Sequence, residues 1–161
     1  MASNINQVLL IVSIASLLAL FPQVESTFTS ISPAPADAKS QMNQFIRSTM
    51  VIGMHRTREY LQGIEMQVKD PATSETTIGC LKECKEMFEA ALDDMKKTIE
   101  DIAAENYYMV NMDISSISTN IDTCRTCYRE RAGEDLEVKK FSDWVMGINN
   151  DCLDKLETVT S

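Results

Sequence analysis

Two stretches of this chain step through apolar residues at alternating intervals of three and four, and each carries a cysteine on its seam. In one, Leu81, Cys84, Phe88, Ala91, Met95, Thr98 and Ile102 form the series. In the other it is Val110, Ile114, Ile117, Ile121, Cys124 and Tyr128. That interval belongs to a helix with one buried stripe. Lys82, Glu83, Lys85, Glu86, Asp93, Lys96 and Lys97 fall largely off the first seam, which leaves the opposite face to water. Two consecutive helices with a short turn between them run antiparallel. A cysteine on each seam then limits how they can meet.

Two more helix-length segments flank this pair. One spans about Asp37 to Val68, with Asp37 as its cap and a seam of Met42, Phe45, Thr49, Ile52, Arg56, Leu61 and Ile64. Asp70-Pro71 ends it. The last begins after Asp135, a second capping residue, and ends near Thr158. Its seam is Val138, Phe141, Val145, Ile148 and Cys152, with Leu156 and Val159 beyond. Gly133 suits a left-handed C-cap for the third segment. No alternating strand pattern appears. The expectation is an all-α, antiparallel up-down four-helix bundle, stapled by disulfides.

The N-terminal part has a different character. Val8 to Phe21 contains no charge, and only Ser13 and Ser16 are polar. The run falls short of the roughly 20 apolar residues of a membrane span, and Pro22 and Glu25 end it. Val24-Glu25-Ser26 offers small residues where a signal peptidase reads, so residues 1–26 are expected to be a signal peptide, although the n-region lacks Lys and Arg. A buried N-terminal helix would instead need a polar face. Residues 27–36, rich in Ser, Thr and Pro, read as an extended leader in which Pro33 and Pro35 oppose a helix. Residues 37–161 then form one bundle domain. No membrane anchor should remain after cleavage, and the expected location is extracellular, in the apoplast or cell wall. The net charge of −9 would be repelled by nucleic acid and by anionic membranes. It suits either a basic partner or solubility alone. No Asn-x-Ser/Thr acceptor occurs, so no N-linked glycan is expected.

A secretory route permits disulfides, and five cysteines leave one over. If Cys84 and Cys124 face each other, the other two can be placed. Cys80 lies four residues toward the N-terminus of one helix, and Cys127 three toward the C-terminus of the other. In antiparallel helices these steps point the same way, by about 6 and about 4.5 Å. The expected pairs are Cys84–Cys124, the firmer, and Cys80–Cys127. Cys152, on the fourth seam, is expected to be a buried free thiol. Four thiols could also hold a structural zinc, which secretion argues against. Cys124-Arg125-Thr126-Cys127 matches C-x-x-C but lacks the βαβ context of a redox site.

Catalytic patterns are missing. His55 is the single histidine, so a di-metal bundle site with two Glu-x-x-His motifs is excluded. No G-x-S-x-G, H-E-x-x-H or phosphate loop occurs. The carboxylates read as solvated faces beside lysines. The ten methionines suit core filling or an adaptable surface, and Trp144 suits a buried or an interfacial anchor. No cofactor, metal or catalytic activity is expected.

Leu81-Lys82-Glu83-Cys84-Lys85-Glu86-Met87-Phe88, continuing through Ala91, Asp93, Met95 and Lys96, resembles a helix of the plant invertase and pectin methylesterase inhibitor family. Ser115, Thr119, Asn120, Asp122, Thr123 and Cys124 resemble that family's S-A-A-L-T-N-x-D-T-C segment. The resemblance spans about residues 37–160 and is sharpest over 81–124. It implies a four-helix bundle that inhibits a cell-wall carbohydrate enzyme by one-to-one binding. In pectin methylesterase complexes of the family the bundle covers the substrate cleft, and in invertase complexes the inhibitor occupies the sucrose site. The motif leans slightly to pectin methylesterase over acid invertase. Candidate contact residues are Glu86, Ser116, Thr119, Asn120 and Thr123, which could equally be ordinary exposed or capping residues.

The chain also departs from the family pattern. The family's N-terminal hairpin carries an early cysteine pair, whereas no cysteine here precedes Cys80. Asp113 stands where an aromatic is usual, and Ile117 and Ser118 replace members of a small or apolar run. These departures keep a second reading open: a secreted interaction or signalling bundle without inhibitory activity.

Overall fold

The computed structural model describes residues 35–160, so the expected signal peptide and most of the expected leader lie outside the described residues. Four helices follow one another: α1 (Pro35–Lys69), α2 (Glu75–Ala103), α3 (Tyr107–Cys127) and α4 (Leu136–Thr160). A π-helical turn, Tyr128–Ala132, extends α3. Each helix packs on its neighbours in sequence, and α4 closes the ring against α1. Among the described residues there is no strand, and no helix is long and apolar enough to cross a membrane.

The helix limits follow from local chemistry. Helix α1 starts at Pro35, two residues before the expected cap, and Asp37 sits in its first turn. A first-turn proline is tolerated because its missing N–H would have no intrahelical acceptor anyway. The helix therefore takes in Pro35 and Ala36, the last two residues of the expected leader. The α1–α2 turn is tied by Asp70, whose Oδ1 accepts from Ala72 N at 2.8 Å. Ser74 caps α2, its hydroxyl accepting from Thr77 N at 3.1 Å. Asn106 caps α3 through Met109 N. Asp135 Oδ1 caps α4, accepting from Glu137 N and Val138 N at 2.8 and 3.0 Å. Gly133 has φ +87° and ψ 161°, a region open to glycine but beyond the left-handed helical cap expected there.

The α2 and α3 seams are buried at every position from Leu81 to Ile102 and from Val110 to Tyr128. Helix α1 departs from its expected phase. Its buried stripe is Met42, Ile46, Met50, Gly53, Thr57 and Ile64, while Phe45 and Ile52 are 37% and 56% exposed. Two unobtrusive residues explain the shift. A Cβ on Gly53 would lie 3.2 Å from Met95 Sδ, so glycine admits α2 closely here. Thr57 tolerates burial because its hydroxyl donates to Gly53 O at 2.8 Å. Arg56, placed on the seam by sequence, instead lays its guanidinium 4.5 Å from the half-buried Trp144 ring centroid. Tyr60 stacks on Phe141 at 4.2 Å, and both meet Phe88, which ties α1, α2 and α4 together.

Candidate functional site

The α2–α3 pair carries almost all the residues singled out by sequence. At one end Cys84 joins Cys124 and Cys80 joins Cys127, with Cα–Cα distances of 4.5 and 5.6 Å. These bonds consume the four thiols that a zinc site would use. Cys152 is free and buried on α4; burial, opposed by a hydrogen bond with Thr49, pushes its thiol up to about 12. It is therefore a poor nucleophile at physiological pH. His55 is exposed on α1 beside Glu59, and among the described residues no cluster of metal-ligating side chains occurs.

Helix α3 turns an unusual ridge to solvent. Between Tyr107 and Ile121 its sole charged residue is Asp113, and that side chain is buried. Tyr108, Met112, Ser115, Thr119 and Thr123 recur at intervals of four, three, four and four on the side opposite the core. Tyr108 is 74% and Met112 49% exposed. The hydroxyls of Ser115, Thr119 and Thr123 donate to the carbonyls of Asn111, Ser115 and Thr119 at 2.8, 3.0 and 2.9 Å. Their protons are used within the helix, so what they offer outward is methyl surface and oxygen lone pairs.

Ser116 and Asn120 sit at the edge of this ridge, and a buried carboxylate fixes them. Asp94 of α2, 8% exposed, accepts from Ser116 Oγ at 2.6 Å, Asn120 Nδ2 at 3.2 Å and Lys97 Nζ at 3.1 Å. Burying a carboxylate costs several kcal/mol unless donors replace water, and three donors do so here. Glu86, the remaining candidate, is exposed on α2 and shares in none of these contacts.

Asp94 and Asp113 correct the sequence-based view of the carboxylates as a solvated face. Sequence marks Asp113 only as a departure from the family's aromatic and does not mark Asp94, because each precedes an apolar seam residue, Ile114 and Met95, and so lies at the seam's margin. Tyr108 is not singled out by sequence, and Met109 and Met112 only among methionines that suit core or surface; all three are exposed. The absence of exposed charge from Tyr107 to Ile121 was the available signal for them.

A family model described as plant invertase/pectin methylesterase inhibitor matches residues 23–159. Among solved structures, a pectin methylesterase inhibitor from Arabidopsis thaliana is similar in fold, with a TM-score of 0.66 at 16% identity. The match covers 73% of this chain and 78% of that one. No curated protein sequence matches significantly.

Proposed function

Because this chain belongs to the plant invertase and pectin methylesterase inhibitor family, whose members act by inhibition and not by catalysis, we propose that it is a secreted inhibitor of a cell-wall carbohydrate enzyme. It would act by one-to-one binding over the active-site cleft, with pectin methylesterase slightly favoured over acid invertase on the motif around Cys84 and Cys124. The observation that carries the reading is the α3 ridge. In a chain with 24% charged residues, the α3 face from Tyr108 to Thr119, about 16 Å long, presents Tyr, Met, Ser and Thr without an exposed charge, and the exposed Asp122 flanks its far end. Protein interfaces have this composition at their centre: charge is depleted, and Tyr and Met are enriched. The ridge offers lone pairs and few free donors, so a complementary partner would supply donors. Glu86, Ser116, Thr119, Asn120 and Thr123 remain the proposed contacts, joined by Tyr108 and Met112.

The test is a paired titration of the oxidised, secreted chain against a plant pectin methylesterase and a plant acid invertase at mildly acidic pH. Near-stoichiometric inhibition of one enzyme supports the reading and selects the target. An uncharged ridge also implies affinity that falls little with salt. The second reading, an interaction or signalling bundle, is favoured by the absence of cysteines before Cys80 and by Asp113 in place of an aromatic. A helical, monodisperse sample without effect on either enzyme would select it.

A further inference from the structure

The last turns of α1 and the first half of α2 border an open groove of about 350 Å³ that includes no residue of α3. Buried Ile64 and half-buried Val68 stand on its α1 wall, with Glu65 and Lys69. Lys82 and Lys85 form the α2 wall. The lining is mostly apolar, and lysine stems extend such a surface while their ammonium groups stay in water. Of the four charged groups on the groove three are cations, in a chain whose net charge is −9. Lys85 is compensated: its Nζ lies 2.8 Å from Glu65 Oε1, across the groove, and 3.9 Å from Glu89 Oε1 outside it. That hydrogen bond, with the charges of Lys85 and Lys69, holds the Glu65 carboxyl below its usual range. Lys69 and Lys82 form no ion pair among the described residues. Glu86, one turn beyond Lys82, is not part of the lining. The α2 wall is also firmly held, because Cys80 and Cys84, on either side of Lys82 in sequence, are both bonded to α3.

We propose that this groove binds a small amphiphilic carboxylate, its aliphatic tail lying on Ile64 and Val68 and its carboxylate held by Lys69 and Lys82. The apolar floor alone would accept any hydrophobic body. Two uncompensated ammonium groups beside it select an anion, and a carboxylate accepts strong hydrogen bonds from them. Size and charge narrow the class further. Small-molecule sites run from about 300 to about 1,000 Å³, so this groove suits a short chain. A polyanion would extend past the two lysines onto an acidic bundle and be repelled there, whereas a single carboxylate fits between them. A wall already fixed by two disulfides also spares the ligand part of the cost of ordering its site.

The test needs no target enzyme, so it stands or falls apart from the inhibitor reading. Octanoate is the probe, with acetate as the head group without a tail and 1-octanol as the tail without a charge. Each would be titrated into the full oxidised chain near neutral pH, where the carboxylate is ionised and the lysines are protonated. Amide chemical shifts report where each one binds. Octanoate should bind saturably, shift the amides of residues 64–69 and 78–85, and exceed both comparators in affinity by roughly ten-fold. Raising salt from about 50 to about 500 mM should weaken octanoate several-fold and leave 1-octanol unchanged. Lys69→Gln with Lys82→Gln should lower octanoate affinity by roughly ten-fold, while the melting temperature without ligand stays the same, since neither lysine has an ion pair to lose. Val68→Ser is the second variant, and it should weaken octanoate without altering its salt dependence. Octanoate binding no tighter than 1-octanol, shifts spread over Phe45, Tyr108 and Met112, or full affinity in the double-lysine variant would each overturn the proposal.

Discussion

The α2–α3 pair is held at its two ends by different physics. At the cysteine end two covalent bonds cross between the helices, and the surrounding side chains are core. At the loop end there is no covalent link, and buried carboxylates lie where a bundle would ordinarily place apolar groups. A disulfide holds its partners whatever the pH, and it acts largely by limiting the unfolded chain. A carboxyl holds only in one protonation state and only while its donors stay in place. The ridge proposed to meet a partner runs between these ends. Its Thr123 side is covalently set, whereas toward Tyr108 the helices are joined by the apolar seam of Ile102, Val110 and Ile114 and by polar contacts.

The largest effect should come from the covalent end. Replacing both Cys84 and Cys124 by serine reopens a loop spanning a sequence separation of 40 residues. The chain-entropy account gives about 4 kcal/mol for closing such a loop. The loss should be smaller than that, because Cys80–Cys127 still closes a loop of similar length around it. Removing both pairs should cost the full amount. Denaturant unfolding of the two-cysteine and four-cysteine variants checks this order. Cys84→Ser should also weaken any inhibition, through loss of the fixed face. Equal stability with and without both bonds would show that packing, not the staple, sets the register.

Next in size is Asp94→Ala. Ser116 and Asn120 would lose their acceptor at the edge of the ridge, and Lys97 would lose its counter-ion. Leaving buried or half-buried donors unpaired costs about 1–3 kcal/mol. Lys97 is largely exposed and returns to water, so the loss should fall near the middle of that range. Asp94→Asn keeps the size and one acceptor oxygen and should recover part of it. Thermal melts of both variants, beside partner titration, separate stability from presentation of Ser116 and Asn120. A neutral Asp94→Ala would mean that the loop end owes its order to the apolar seam alone.

How much of this was legible depended on the kind of residue that makes each contact. The α2 and α3 seams announce themselves because Leu, Ile, Phe and Val recur at helical intervals, and burial follows hydrophobicity there. On α1 the stripe turns on Gly53 and Thr57, one with no side chain and one polar. A pattern reader passes over both and selects Phe45 and Ile52 instead, about one position out of phase. Close approach of Met95 to Gly53 is a property of two helices together and has no trace in either sequence. The same holds at the site. Thr119, Asn120 and Thr123 stand out by resemblance to a family motif, and Ser116 as a polar neighbour of it. Asp94, which fixes two residues of the ridge, is part of no period and becomes visible only when α3 lies beside it.

The smallest predicted effect concerns the turn that joins the two helices at the weaker end. Glu105 adopts φ 56°, the sole positive φ outside glycine among the described residues. Its carboxylate pairs with Lys39 at 2.7 Å, on the surface. A left-handed conformation costs a residue with a Cβ about 1 kcal/mol, which glycine avoids. Glycine, however, frees the unfolded chain by roughly 0.5–1 kcal/mol, and it also gives up the Lys39 contact. Glu105→Gly should therefore change stability by less than about 0.5 kcal/mol. Asparagine tolerates this conformation without the entropy penalty, so Glu105→Asn should be the more stable of the two. Melting midpoints for both, measured at low and high salt, test the balance. A loss above about 1 kcal/mol in both variants at low salt, absent at high salt, would show that the Lys39 ion pair holds the turn. The loop end would then rest on charge at the surface as well as in the interior, and the contrast with the covalent end would widen.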